Sequence, residues 1–268
     1  MKIIGLIASE EASAAFFDTE SGLLLAASEE RFTRVKGQTG FPTNSIEWLL
    51  KESGNHANSI DKFIYCHSKS VLPTHISSDI SYNMRSIALN SKISESEVNL
   101  ACIFNRYCAE SAYNERYSSI AINTIDSLIP GADVETFDHH ECHAYSILPF
   151  LSIPPSKSSS LFLTLDGKGN YSAGSAWLFS KDHPNQLECI YRLPSFISLG
   201  YFYGNATAVL GFKPHRHEGK VTGLASRGEV VKDSPLLDIF YVDDAGLQVN
   251  PKYFLTLYSP FFINSNSG

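Results

Sequence analysis

Two groups of three short apolar segments, separated by polar turns, constrain the fold of this chain more than any other feature. The first group comprises residues 2–8, 12–17 and 23–28, and the second comprises residues 161–165, 172–179 and 187–193. Segments joined by such short connections typically form antiparallel strands. The second group follows the first by about 160 residues, so we predict an internal repeat of a three-stranded meander. Two related lobes facing each other across a cleft would explain it, and clefts commonly hold ligands.

The segments outside the two meanders predict mainly helices. The predicted helices cover residues 43–53, 115–128, 139–148 and 199–210, and the predicted additional strands cover residues 61–66 and 134–137. Thr43 or Asn44 is expected to cap the first helix, and Pro149 is expected to end the third. Residues 211–228 are charged and turn-rich, which favours a loop.

A Pro- and Ser-rich stretch at residues 152–160 is typical of a linker. It predicts one lobe at residues 1–151 and the start of a second lobe at residues 161–268. If the second lobe repeats the first, its later strands and helices are missing, and we expect that lobe to be incomplete.

Charge and composition exclude several functional classes. There are 21 basic and 28 acidic residues, giving a net charge of −7, so the chain lacks the basic surplus that general nucleic-acid binders need. The sequence contains no membrane-length apolar run, and its first residues lack the long apolar core and cleavage site of a signal peptide, so neither a membrane helix nor a signal peptide is expected. The five cysteines form no CxxC pair. Reduced thiols and a cytoplasmic location are therefore expected.

The densest group of metal-binding residue types lies at residues 138–143, with the sequence DHHECH. Residues four apart share one face of a helix, so His139 and His143 are candidates to bind one cation. Asp166, which ends a predicted strand, is the candidate carboxylate ligand. Asp138 would orient a histidine. Alternatively, these residues form an ordinary helix start on the protein surface, with Asp138 as its cap.

Two further segments are candidates for binding phosphate, and a third is notable for its charge. Residues 166–169, with the sequence DGKG, suit either a phosphate-binding turn or an ordinary hairpin. Residues 215–220 contain Arg216 and Lys220, which would grip a phosphate unless the segment is a solvated loop. Residues 29–36, which end at Lys36, are either a charged loop beside a cleft or exposed surface.

Taken together, these segments resemble the family of nodulation-factor and antibiotic O-carbamoyltransferases. The resemblance is carried, in order, by residues 12–15, 29–36, 41–42, 138–140, 143–144, 166–169, 198–200, 202–203, 210–212, 218–221 and 223–225. Each motif is weak alone, but their common order from Gly5 to Gly228 makes the resemblance specific.

The resemblance implies an α/β fold of the actin/hexokinase type, built from ribonuclease H-like lobes with mixed sheets flanked by helices. It also implies that carbamoyl phosphate and ATP give carbamoyl-adenylate, whose carbamoyl group passes to a hydroxyl of a small-molecule acceptor. A divalent metal ion, iron or another transition metal, would be bound by His139, His143 and Asp166.

By the same resemblance, Glu10 and Lys220 are the candidate catalytic residues. The candidate nucleotide-binding residues are Lys36, Gly167, Gly169, Glu218 and Gly219. Glu10 stands where the family usually has a histidine close to the reaction centre.

Three functional hypotheses remain at this point. The chain is a carbamoyltransferase whose remaining part lies on a separate chain, or a non-catalytic relative that binds a nucleotide or metal. The third hypothesis, an actin-like ATPase of another kind, explains two lobes but not the histidines.

Overall fold

A computed structural model of the chain describes residues 1–9, 11–67, 95–150 and 159–250. The chain divides into two compact units. Of the described residues, unit 1 contains 1–9, 11–67 and 109–146, and unit 2 contains 95–108, 147–150 and 159–250. Candidate residue Glu10 lies outside the described residues.

Unit 1 is built on a mixed five-stranded sheet with the order β3-β2-β1-β4-β5. Its strands are β1 (Lys2–Ile7), β2 (Ser13–Asp18), β3 (Leu24–Ser28), β4 (Lys62–Tyr65) and β5 (Val134–Thr136). The first three form an antiparallel meander, whereas β4 is parallel to both β1 and β5. This order and these directions are those of a ribonuclease H-like lobe, so the predicted fold class is confirmed.

Four helices accompany this sheet in the described ranges. They are α1 (Glu30–Thr33), α2 (Thr43–Ser53), α3 (Glu95–Leu128) and α4 (His139–Ile147), with a 3₁₀ turn at Ala57–Ser59. Residues 95–108 of α3, Ile147 of α4 and the 3₁₀ turn at Leu148–Phe150 belong to unit 2. Helix α3 begins 20 residues before the predicted start at Glu115. The sequence predicts one or two helices within residues 71–109; residues 95–109 are helical as the first part of α3, whereas residues 71–94 lie outside the described residues.

The core of unit 1 lies between one face of the sheet and two helices. From the sheet it takes Ile4, Leu6, Ala8, Ala14, Phe16, Phe63 and Tyr65, and from α2 and α3 it takes Ile46, Leu49, Ala121 and Ile125. Burying one aliphatic side chain of this size contributes about 1.5–3 kcal/mol. This packing therefore fixes the sheet whose edge carries the histidines described below.

The prediction that Thr43 or Asn44 caps α2 is wrong, because a carboxylate distant in the chain caps its N-terminus. The N-cap position is Pro42, which has no side-chain acceptor. Glu29 instead accepts hydrogen bonds from the backbone N–H and side chain of Asn44, and from the backbone N–H and hydroxyl of Ser45. Glu29 is only 4% exposed, so part of the charged stretch at residues 29–36 is interior structure.

Unit 2 repeats the antiparallel meander, as predicted. Its sheet has the order β6-β7-β8, with β6 (Ser159–Gly169), β7 (Ser172–Ser180) and β8 (His183–Pro194). Since β6 begins at Ser159, the last two residues of the predicted linker are strand; residues 152–158 lie outside the described residues. The predicted turn at residues 166–170 is also shifted, because β6 continues through an irregularity to Gly169.

The rest of unit 2 corrects the prediction of a loop at residues 211–228. Helix α5 (Leu199–Val209) is followed within that stretch by α6 (Glu218–Ala225), so Glu218, Gly219 and Lys220 are helical. The unit continues with 3₁₀ turns at Ser195–Ile197 and Pro235–Asp238 and a hairpin of β9 (Phe240–Asp243) and β10 (Gly246–Val249). Ala173, Leu193, Ile197, Ile239 and Val249 form its core. The final segment, 251–268, lies outside the described residues.

Within the described ranges, every helix is too short or too polar to cross a lipid bilayer. Cys66, Cys108, Cys142 and Cys189 carry free thiols.

Candidate functional site

One edge of the unit 1 sheet collects metal-binding residue types. Strands β4 and β5 are parallel and adjacent, so their carboxyl ends meet at the same edge. Cys66 and His67 follow β4, while Asp138 and His139 follow β5. Open α/β sheets commonly bind ligands at this edge. The topology thus places these two segments next to each other, although they are about 70 residues apart in the chain.

Asp138 fixes the start of α4. Its Oδ1 atom accepts hydrogen bonds from the backbone N–H groups of His140 (3.0 Å) and Glu141 (3.1 Å). The proposed cap is therefore present. His140 and Ala144 share one face of the helix and are fully buried. Burial of that face sets the rotation of α4.

His139 and His143 meet one turn apart on α4. Their Nε2 atoms are 3.0 Å apart, and their ring planes are nearly perpendicular. Two imidazole nitrogens, each about 2.1 Å from one ion and at right angles about it, would be separated by about 3.0 Å. The pair therefore fits two adjacent positions of one cation. The same distance also permits a hydrogen bond between the rings if one of them donates.

A third imidazole, not identified from the sequence, lies beside this pair. The ring of His67 stacks on that of His139, with centroids 4.6 Å apart and planes 22° apart. His67 is only 5% exposed. In the sequence it is an isolated histidine, and its one signal is that it directly follows a predicted strand.

The cysteines near these histidines are poorly suited to act as thiolates. Burial raises the pKa of the Cys66 thiol to about 12, and burial, with further contributions from Cys66 and nearby carboxylates, also raises that of Cys142 to about 12. A thiol must lose its proton before it binds a metal or attacks an electrophile. Without a bound ion, Cys66 and Cys142 are therefore neutral thiols near pH 7.

In unit 2, the start of α5 holds the irregular segment of β6 that contains Asp166 and Gly167, called the Asp166 turn below. The Ser198 hydroxyl donates a hydrogen bond to the Gly167 carbonyl oxygen (2.6 Å) and accepts one from the Tyr201 N–H (3.1 Å). The exposed Asp166 carboxylate accepts a hydrogen bond from the Gly167 N–H (2.6 Å). Ser198 therefore both caps α5 and ties its N-terminus to the Asp166 turn.

Replacing Gly200 with alanine is expected to lower the free energy of unfolding by about 2 kcal/mol. A Cβ atom there would lie 2.9 Å from the Gly167 Cα and 3.1 Å from the Gly167 nitrogen, and backbone cannot move aside easily. Urea unfolding measures the loss. In the control Gly223→Ala, on α6, the new Cβ meets nothing within 4 Å, so that variant should be neutral or up to about 1 kcal/mol more stable. Equal stability of Gly200→Ala and the parent protein would contradict the close approach.

The candidate residues on α6 are linked to the same region through α5. The Tyr201 ring is 5.7 Å from the His215 ring, and the Glu218 carboxylate accepts a hydrogen bond from the His215 N–H. Tyr203 on α5 and Thr222 on α6 join their hydroxyls at 2.8 Å. Lys220 is exposed. Glu218 thus anchors the turn before α6, and Lys220 projects from the helix into solvent.

The remaining candidate residues are divided between the two units. Lys36 is exposed and follows α1 in unit 1, where the Glu30 carboxylate holds the next residue by accepting from the Gly37 N–H (3.0 Å). Unit 1 also contains the histidine pair. Asp166, Gly167, Gly169, Glu218, Gly219 and Lys220 belong to unit 2. The role of Asp166 as third ligand stays a prediction.

Comparison with known proteins gives a match along nearly the whole chain. Residues 2–255 match the protein family described as "Carbamoyltransferase N-terminus". An uncharacterized protein of Synechocystis is 26% identical over 259 residues, which is 94% of this chain and 39% of that protein. The nodulation protein NolNO of Sinorhizobium fredii is 23% identical over 239 residues, 88% of this chain and 31% of that protein. The chain therefore spans about a third of the length of these relatives.

Among solved structures, YeaZ from Pseudomonas aeruginosa is similar at a TM-score of 0.31 and 10% identity, covering 72% of this chain and 69% of that one. The strand order described above, rather than this likeness, supports the fold assignment.

Proposed function

The chain belongs to the carbamoyltransferase N-terminus family, and from that premise we propose that it takes part in ATP-dependent carbamoyl transfer. In this proposal carbamoyl phosphate and ATP give carbamoyl-adenylate, and the carbamoyl group passes to a hydroxyl of a small-molecule acceptor. The family match over residues 2–255 is the observation that carries the proposal. The imidazole pair at the edge of the unit 1 sheet supplies its chemical support.

In this proposal His139 and His143 hold a divalent ion, iron or another transition metal, and Asp166 is the third ligand. Their 3.0 Å nitrogen separation fits two positions on one such ion. When bound, the ion supplies positive charge that neutralises phosphate oxygens and makes the adenylate a better leaving group. The capped start of α4 fixes the backbone from which the two imidazoles project.

The adenylate phosphate is assigned to unit 2. The N-terminus of α5 carries a partial positive charge and is tied to the Asp166 turn. Gly169 and Gly219 let the main chain approach a ligand closely, because they have no side chain. Lys220 provides a mobile positive charge, and Glu218 anchors the turn before it. Lys36, exposed in unit 1, is proposed as a further phosphate contact.

We assign Glu10 the role of general base. A carboxylate at neutral pH accepts a proton, so it suits removal of the proton from the acceptor hydroxyl as that oxygen attacks the carbamoyl carbon. The electron pair of the breaking carbon–oxygen bond then leaves with AMP.

Replacing Lys220 with alanine is expected to weaken binding of a sulfamate analogue of carbamoyl-adenylate by about 10-fold, since one charge-assisted contact is lost. Isothermal titration in the presence of Mn²⁺ measures the change. Lys232→Ala, which removes another exposed lysine of unit 2, should bind as the parent does. The proposal is wrong if the parent protein shows no binding of the analogue with or without Mn²⁺.

A non-catalytic binding module is the second candidate, and Glu10 in place of the family's usual histidine favours it. Such a module would bind the analogue but give no AMP from carbamoyl phosphate and ATP. The discriminating measurement adds a polypeptide that corresponds to the remaining two thirds of the longer relatives, for example from an adjacent reading frame. AMP release in that mixture, with water as the acceptor, beyond the amount that the added polypeptide gives alone supports the enzyme, and its continued absence supports the module.

A further inference from the structure

The ring of His67 is closely packed, although His67 lies outside the regular strands and helices. It is buried, and three rings surround it: Tyr65 at 5.8 Å, Tyr113 at 6.5 Å and His139 at 4.6 Å between centroids. Tyr65 belongs to β4 and is fully buried in the core, so the position of His67 is tied to the sheet itself. The contact with His139 is the closest of the three and the nearest to parallel.

Two roles fit a histidine at this place: direct ligation of the ion, or control of the His139 ring. Ligand atoms of Cys66, His67 and His139 all lie within 4.8 Å of one another, which would suit a shared ion. The ring planes argue against it. An ion bound by an imidazole lies in the plane of that ring. The rings of His67 and His139 are stacked and only 22° from parallel, so their nitrogen lone pairs lie in two separate planes and do not converge on one ion.

We propose that His67 is a positioning residue of the metal centre: its ring stacks against that of His139 and holds the His139 Nε2 atom towards the ion shared with His143. This inference rests on the metal centre in the proposed function. A histidine χ2 torsion is broad and roughly two-fold, so an unsupported His139 ring would sample directions that point its nitrogen away. Stacking removes that freedom before the ion binds, as partners of metal-binding histidines commonly do.

The test separates stacking from ligation by using side chains that keep one property and lose the other. His67→Phe keeps a flat ring but has no nitrogen, whereas His67→Ala and His67→Leu lose the flat ring. Co²⁺ is titrated into each protein, and its ligand-field absorption reports imidazole coordination. The affinity for Co²⁺ is expected to fall about 10- to 100-fold in the Ala and Leu variants and to stay within about 3-fold of the parent in the Phe variant.

Two results would overturn the role of His67. An affinity in His67→Ala and His67→Leu equal to that of the parent would show that the stack is dispensable. A loss in His67→Phe as large as in His67→Ala would show that the nitrogen matters and that His67 is a ligand. Circular dichroism identifies variants that fail to fold, and the Leu variant replaces the Ala variant in that case. Absence of Co²⁺ binding by the parent would instead refute the metal centre of the proposed function.

Discussion

Replacing His139 and His143 together with alanine is expected to weaken divalent metal binding more than about 100-fold. Each substitution removes a nitrogen donor, and the two Nε2 atoms are 3.0 Å apart, the spacing of neighbouring ligands on one ion. Loss of even a supporting contact around a metal commonly costs 10–100-fold in affinity, so loss of two ligands should exceed that range. Co²⁺ titration followed by absorption, with Zn²⁺ competition, measures the change.

The matched control is His183→Ala, which removes an exposed histidine at the start of β8 and should leave the affinity unchanged. Asp166→Asn tests the third ligand and is expected to weaken binding at least about 10-fold. Unchanged affinity in that variant would remove Asp166 from the ligand set but leave the histidine pair in place. Parent-like affinity in the double histidine variant would refute the metal centre, since the rings would then only hydrogen-bond to each other.

The second large effect is expected at Glu29. Substitution to glutamine should lower the free energy of unfolding by about 3 kcal/mol, since the new amide cannot accept all the hydrogen bonds that the carboxylate accepts from Asn44 and Ser45. Ser45 is fully buried, so its N–H and hydroxyl have no access to water as a replacement. The positive end of α2 also loses its negative partner.

The effect of Glu29 is expected to depend on pH. Burial alone would raise the pKa of its carboxyl, but the hydrogen bonds from Ser45 and Asn44 outweigh burial and hold that pKa below its ordinary value. A carboxyl with a lowered pKa in the folded state stabilises above the unfolded-state pKa of about 4.3 and loses that contribution as pH falls. The difference in unfolding free energy between the parent and Glu29→Gln should therefore be full near pH 7 and shrink below about pH 4.

Urea unfolding at both pH values measures this difference. Glu47→Gln, at an exposed position of the same helix, is the control and should change stability by less than about 0.5 kcal/mol at either pH. A Glu29→Gln variant as stable as the control at pH 7 would contradict the capping role.

The sheets could be predicted from the sequence, because apolar alternation and short polar turns act locally. Both meanders follow from those signals, as do β4 and β5. The cap of α2 could not be predicted in the same way. Pro42, Thr43 and Asn44 suggest a local cap, whereas the acceptor is Glu29, which is 15 residues from Asn44 and becomes its neighbour only after β3 and α2 have packed. Similarly, α6 contains two glycines and lies within the charged residues 211–228, whose composition is typical of a loop.

The histidine pair could be predicted because helical spacing alone places His139 above His143. His67 could not, because its proximity to His139 depends on the pairing of β4 with β5, which are far apart in the chain. The link from Ser198 to Gly167 is likewise a contact over 31 residues. Both contacts join segments that are distant in the sequence, and the residue types alone do not indicate which distant segments become neighbours.

The parallel pairing of β4 with β5 also bears on how such a centre can diversify. The strands contribute their apolar side chains to the core, whereas the metal-binding residue types come from short segments beyond the strand ends. Substitutions at the exposed positions among them, such as His143, can exchange donor atoms without repacking the interior, because the hydrogen-bonded frame stays unaltered. In the proposed metal centre, the preference among ions is therefore expected to change with replacements at these few exposed positions.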